Sequence, residues 1–230
     1  MKTSIKRLLT VASRALCVTL PLLASTSIAH ATTTAIFAPG DTVSGGQLQG
    51  NNFVVGTTGN SPNTNNWPGS EGPANAIDGG TAKYLNFAET NTGLVVTPTF
   101  GSSVVTSLQV TTANDVEFRD PASFALYGSN ATLGSGPFSL ADFMLIASGD
   151  LALPSQRFSS QTVNFANALG FTSYMIIFPT VKNAAGANSM QISEVQLFGI
   201  ATPAPVPEPG TLAVLAMGLA GLGLARRRVR

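Results

Sequence analysis

Cysteine and histidine are almost missing from this chain of 230 residues: Cys17 and His30 occur once each. Both fall in the first 31 residues, which carry the marks of a segment that is removed. Lys2, Lys6, Arg7 and Arg14 form a basic start, and Ala15 to Ala29 is largely apolar around Leu16, Val18, Leu20, Leu22 and Leu23. Ala29-His30-Ala31 then gives a small-x-small cleavage site. The apolar run is shorter than the ~20 residues of a spanning helix and is broken by Pro21, so residues 1–31 read as a signal peptide cut after Ala31. Cys17 lies ahead of most of that run, which argues against lipidation. What is left has neither Cys nor His. Disulfides, Cys/His zinc sites, Cys nucleophiles and Ser-His-Asp triads are thereby excluded.

Positive charge is the next scarcity. Of twelve Lys and Arg, four lie in the leader and four at the end of the chain (Arg226, Arg227, Arg228, Arg230). Residues 32–200 keep only Lys83, Arg119, Arg157 and Lys182 against ten acids, a net of −6. Four scattered bases on an acidic body leave no footprint for nucleic acid. An acidic body suits a divalent cation.

A long hydrophobic run is also wanting. Residues 211–225 carry no charge, but fifteen residues at about 1.5 Å each reach roughly 22 Å, short of the ~30 Å hydrocarbon core. Gly218, Gly221 and Gly223 weaken this transmembrane-like helix further. Before it, residues 201–210 have Pro203, Pro205, Pro207 and Pro209 at alternate positions, which fits a stiff, extended spacer. After it, 226–230 is a basic tail, and basic residues stay on the cytoplasmic side, so the domain is expected to face the periplasm.

Pro207-Glu208-Pro209, the apolar stretch and Arg226-Arg227-Arg228 together resemble the PEP-CTERM sorting signal. The resemblance implies a Gram-negative host, an exosortase-type enzyme as processing partner, transient association with the inner membrane, and delivery to the cell surface or an extracellular biofilm matrix once the tail is removed. A plain C-terminal anchor is the simpler alternative.

Residues 32–200 read as one domain. Long helical periodicity is absent. Short β-rich runs appear near 52–56, 83–88, 93–100, 103–112, 122–128, 142–149, 160–166, 171–179 and 190–199. Tyr174 to Phe178 is apolar throughout, as expected of a central strand covered on both faces, and 164–169 suggests a short helical turn. Nine strands at this spacing predict an all-β sandwich or jelly roll, and about 170 residues bury a core without disulfides.

Three segments also resemble discoidin or factor 5/8 C-type modules, the galactose-binding-like jelly rolls. They are P-A-N-A-I-D-G-G-T-A-K-Y-L-N-F at 73–87, R-D-P-A-S-F-A-L-Y-G-S-N at 119–130 and S-M-Q-I-S-E-V-Q-L-F-G at 189–199. The resemblance implies a non-enzymatic module that binds carbohydrate or another surface ligand at loops on one end of the sandwich. It also implies a structural Ca2+ joining the Asp78 loop to Glu194, with Thr81 and carbonyls such as that of Asn75 completing a shell of about six to eight oxygens. The loop is one residue short of the family pattern, which puts Ala82 in the threonine slot. The simpler reading is an Asx-turn at Asp78 and a surface-facing Glu194.

Two further candidates come from the residues themselves. Trp67, the only tryptophan, lies in N-T-N-N-W-P-G-S, and a ring flanked by Asn65 and Asn66 suits stacking on a pyranose. Its alternative is a plug over the sandwich end. Asp115 and Glu117, two apart and ~7 Å from each other on a strand, match the carboxylate pair of a glycoside hydrolase. Its alternative is a turn in which Arg119 pairs with an acid. Lys83, Arg157 and Lys182 form no pattern in the sequence. The expected function is a secreted binder of polysaccharide or another matrix component. The rivals are a structural matrix protein without a discrete ligand and a hydrolase.

Overall fold

The computed structural model describes residues 32–201. The expected signal peptide at 1–31, most of the Pro-rich spacer, the apolar stretch 211–225 and the basic tail lie outside these residues. Among the described residues no helix is long and apolar enough to cross a membrane.

Among the described residues fifteen strands, all but one pair of them antiparallel, build two facing sheets and two small ribbons. The smaller sheet holds, in spatial order, β1 (Thr34–Ala35), β15 (Glu194–Ala201), β8 (Ser103–Thr111) and β12 (Ser160–Asn164). The larger sheet runs β10 (Phe138–Ser139), β3 (Asn52–Val55), β2 (Thr42–Gln49), β7 (Thr92–Thr97), β13 (Ser173–Phe178), β9 (Ser123–Ser129) and β11 (Met144–Asp150). The ribbons are β14 (Met190–Ile192) with β6 (Tyr84–Asn86), and the parallel pair β4 (Thr57–Thr58) with β5 (Asn66–Trp67). The expected all-β jelly-roll sandwich is the fold observed.

Alternation along the strands sorts the core into two layers. On β13, Tyr174, Ile176 and Phe178 point between the sheets, where they meet Leu94, Val96, Leu108, Val110, Leu126, Val195 and Leu197. Met175 and Ile177 point the other way, into a second apolar cluster with Phe53, Val95 and Phe138. The segment from Leu133 to Phe143 folds over that outer face. Every residue of β13 is therefore buried, as the apolar run from Tyr174 to Phe178 predicts.

Two expectations need correction. Residues 165–170 are not helical; they form an irregular connection, with Asn167 holding the carbonyls of Val105 and Leu169 through its Nδ2. Strand β2 is absent from the sequence reading because Gly45-Gly46 breaks its pattern. The packing demands the break: a Cβ at Gly45 would lie 2.8 Å from the Tyr84 hydroxyl oxygen and 2.9 Å from Pro73.

The sandwich has two poles. Thr111 pairs with Glu194 at one, and Ser103 pairs with Ala201 at the other. The loops bearing nearly all the candidate residues meet at the first.

Candidate ligand-binding site

All four basic side chains of the domain converge at the Glu194 pole. The anchor is Asp120, fully buried just after a 3-10 turn, Glu117–Arg119. Arg157 grips it bidentately, donating from Nη1 to Oδ1 at 2.9 Å and from Nη2 to Oδ2 at 2.6 Å. Lys182 Nζ lies 3.3 Å from the same carboxylate and donates to Glu117 Oε1 at 3.0 Å. Ser155 Oγ donates to that Oε1 at 2.6 Å. Lys83, only 9% exposed, donates to Asp115 Oδ2 at 2.9 Å and lies 3.6 Å from Glu71 Oε1. A buried cation requires paired partners, and Lys83, Arg157 and Lys182 each have one or two.

This network reassigns the acidic cluster. Arg119 is not the partner of any of these carboxylates among the described ion pairs; Lys83, Arg157 and Lys182 take them instead. Arg119 Nε is buried without a hydrogen-bond partner. Burial works against ionisation of Asp115, but hydrogen bonds from Lys83 and Gln191 outweigh it and hold its carboxyl below the ordinary range. Hydrogen bonds from Ser155 and Lys182 lower Glu117 likewise. A glycosidase general acid needs a raised pKa. Neither carboxyl has one.

The network also fixes the loop 153–159. Arg157 donates to the carbonyls of Ser155, Pro154 and Asp115. Thr112 closes the loop from the other side: its Oγ1 donates to the Gln156 carbonyl at 2.9 Å and accepts from Ser159 N at 3.0 Å. Between these two clamps stands Phe158, 47% exposed and with φ of +56°. A bulky residue in the left-handed region is an outlier that only its surroundings sustain. Its ring borders an open depression of about 370 Å³, with Glu71, Thr81, Ala82, Lys83 and Asn114 around it. Phe158, Asn114, Glu71 and Lys83 thus border one concavity.

The expected platform at Trp67 is corrected. Trp67 is 8% exposed, sits in the main core and meets Tyr84 edge to face at 5.8 Å. Gly56 makes room for it, since a Cβ there would lie 2.6 Å from the indole. Asn65 donates to the Val54 carbonyl at 2.7 Å and accepts from Asn86 at 2.9 Å. Asn66, equally buried, bonds Ser61 and the Thr64 hydroxyl. With the ring covered and the amides turned inward, the three residues form the plug.

The residues named for a metal are brought together only in part. Asp78 Oδ1 accepts from Gly80 N at 2.6 Å, an Asx-turn, and Glu194 Oε2 accepts from Gly79 N at 3.2 Å. Burial, helped by the Asp78 charge, pushes Glu194 up to about 7, against the hydrogen bond from Gly79. Two carboxylates crowding one glycine loop are the donors a hard cation takes. Asn75 is a strut: its Nδ2 donates to the carbonyls of Ser70 and Lys83, both at 2.8 Å. Thr81 is exposed and lines the Phe158 depression. Among the described residues no three or more Asp, Glu, His or Cys are grouped to hold a metal ion.

Sequence reasoning missed Phe158, Asn114, Lys83 and Glu71. The signal for Phe158 was present: P-S-Q-R-F-S-S places one aromatic in a polar loop, the pattern that drew attention to Trp67.

Comparison with known proteins bears on both regions. Residues 205–228 match the PEP-CTERM protein-sorting motif. The match contains Pro207, Glu208, Pro209, Arg226, Arg227 and Arg228, and the motif implies an exported protein processed by exosortase. Among curated proteins no sequence matches this chain. Among solved structures, the chain is similar to a family 32 carbohydrate-binding module from Clostridium perfringens in complex with galactose. Identity is 15%, the TM-score is 0.48, and 73% of this chain and 99% of that one are covered. A second Clostridium perfringens module of that family, in complex with GalNAc-β-1,3-galactose, gives 14% identity and a TM-score of 0.49 over 72% and 100% of the two chains. A fucolectin from striped bass serum gives 14%, 0.47, 72% and 49% in the same order.

Proposed function

We propose that this protein is an exported, non-enzymatic module that binds polysaccharide through the Phe158 depression. The carrying observation is Phe158 itself: an exposed ring held in a left-handed backbone conformation between the Arg157 and Thr112 clamps. Folding alone gives no reason to keep a phenylalanine where glycine is easier. The ring offers a face for the C–H side of a sugar, and Asn114, Glu71 and Lys83 offer hydrogen bonds to its hydroxyls. The paired, low-pKa carboxyls of Asp115 and Glu117 support the non-enzymatic reading.

The test is binding of the purified protein to a panel of immobilised glycans, wild type against Phe158→Ala. Retention of at least one glycan, lost in the variant at unchanged fold, supports the proposal. A protein that retains none of them is a structural matrix component.

On this reading the tail holds the domain to the inner membrane of a Gram-negative cell, facing the periplasm, until exosortase releases it to the surface or a biofilm matrix. Intact mass of the host-derived protein checks both ends at once. Calcium belongs to the same proposal as a structural ion: Asp78 and Glu194 would hold it with main-chain carbonyls of the intervening loop, pinning that loop to the start of β15.

A further inference from the structure

We propose that the outer face of the larger sheet carries a second ligand site, at the pole opposite Phe158, which takes a single uncharged sugar ring. Between β2, β7 and the covering segment lies a half-enclosed cavity of about 110 Å³. A cavity needs roughly 10–15 Å³ to hold one water, so this one holds several. That is the scale of one ring and not of a chain.

The chemistry of the walls is divided. Val95, Leu133 and Phe138 give an apolar floor and lip. Along the other side the β2–β7 register sets Thr42 opposite Thr97 and Ser44 opposite Val95. The strand period of two puts these on the face that carries Val95. Thr97 Oγ1 shares a hydrogen bond with Ser173 Oγ at 2.8 Å, which extends the hydroxyl row onto β13. The hydroxyls of Thr42 and Ser44 bond no protein group among the described residues, so both are open to a ligand. No ionisable side chain lines the cavity. An apolar floor, a hydroxyl edge and no charge complement a neutral pyranose: its C–H face lies on the floor and its rim hydroxyls meet Thr42 and Ser44. A charged sugar would leave its charge unpaired there.

The experiment is an amide-shift titration of the purified protein with galactose as a neutral probe, in wild type, Phe158→Ala, Ser44→Leu and Ser44→Ala. Saturable shifts at Leu133 and Gly134 that survive Phe158→Ala, vanish when the leucine fills the cavity and weaken about two- to tenfold in Ser44→Ala would support the site. Shifts confined to the Phe158 loop, or shifts at Leu133 that persist in Ser44→Leu, would overturn it. If Ser44→Leu does not fold, Ser44→Ala decides alone: an unchanged Kd overturns the site. Failure of the loop-pole reading shows separately, as silence around Phe158.

Discussion

Replacing Phe158 by alanine and by glycine separates what the ring does for the ligand from what its backbone costs the fold. Both variants lose the contacts of a half-exposed ring. Full burial of a Phe side chain contributes about 1.5–3 kcal/mol, so a ring that is 47% exposed contributes about 1 kcal/mol, equally lost in both. They differ in the backbone. Alanine keeps the left-handed φ of +56°, which costs a non-glycine residue about 1–2 kcal/mol, and glycine relieves it. The greater freedom of unfolded glycine returns about 0.4–1 kcal/mol of that gain. Phe158→Gly should therefore be more stable than Phe158→Ala by roughly 0.5–1 kcal/mol, or about 1–4 °C in Tm for a domain of this size. Both should bind glycan about tenfold more weakly, since an aromatic contact of this kind is worth about 1 kcal/mol or more. Calorimetric melts and isothermal titration read the two effects separately. An alanine variant as stable as the glycine variant, or undiminished binding in either, would refute the reasoning.

Asp120→Ala should lower stability by about 3–5 kcal/mol, because it removes the fully buried carboxylate that Arg157 and Lys182, both mostly buried, share as counter-charge. A melt no different from that of an exposed-surface substitution would show that the network is not buried in solution. Glu194, pushed up to about 7, binds its proton more tightly in the folded chain than in the unfolded one. In the presence of a chelator, stability should be greatest in mild acid and fall as pH rises through 7; Glu194→Gln should flatten that slope, and an equal slope in both refutes the assignment. Calcium at a hundredfold excess over its Kd should add about 2.7 kcal/mol by mass action, and Asp78→Ala should abolish the rise. No shift on adding calcium to chelated protein excludes the site.

The sequence made the sandwich legible because its interior strands carry their own signature. Tyr174 to Phe178 is apolar at every position, and Glu194 to Leu197 alternates. Both patterns survive in the fold because a strand's faces are set by period alone. β2 was illegible since Gly45 answers to Tyr84 and Pro73, distant in sequence, and Gly46 to the Val54 carbonyl of the neighbouring strand. Trp67 was misjudged for a related reason: its polar neighbours suggested water, but the amides of Asn65 and Asn66 are consumed by backbone carbonyls and neighbouring side chains. The charge network was hidden because Lys83, Asp120, Arg157 and Lys182 share no spacing and meet only when three loops close. Asp78 and Glu194, 116 positions apart, were connected only through the resemblance to discoidin-type modules.

The antiparallel pairing of Thr34 with Gly199 has a topographic consequence. The first and last described strands are neighbours, so the chain enters and leaves the sandwich at one corner. The last strand begins beside the clamped loops at Glu194 and runs eight residues, roughly 25 Å, before Ala201 gives way to the prolines. Ala201 lies at the pole opposite Glu194, a strand's length from the Phe158 loop, so on the proposed function a cut beyond Ala201 would leave the Phe158 depression untouched.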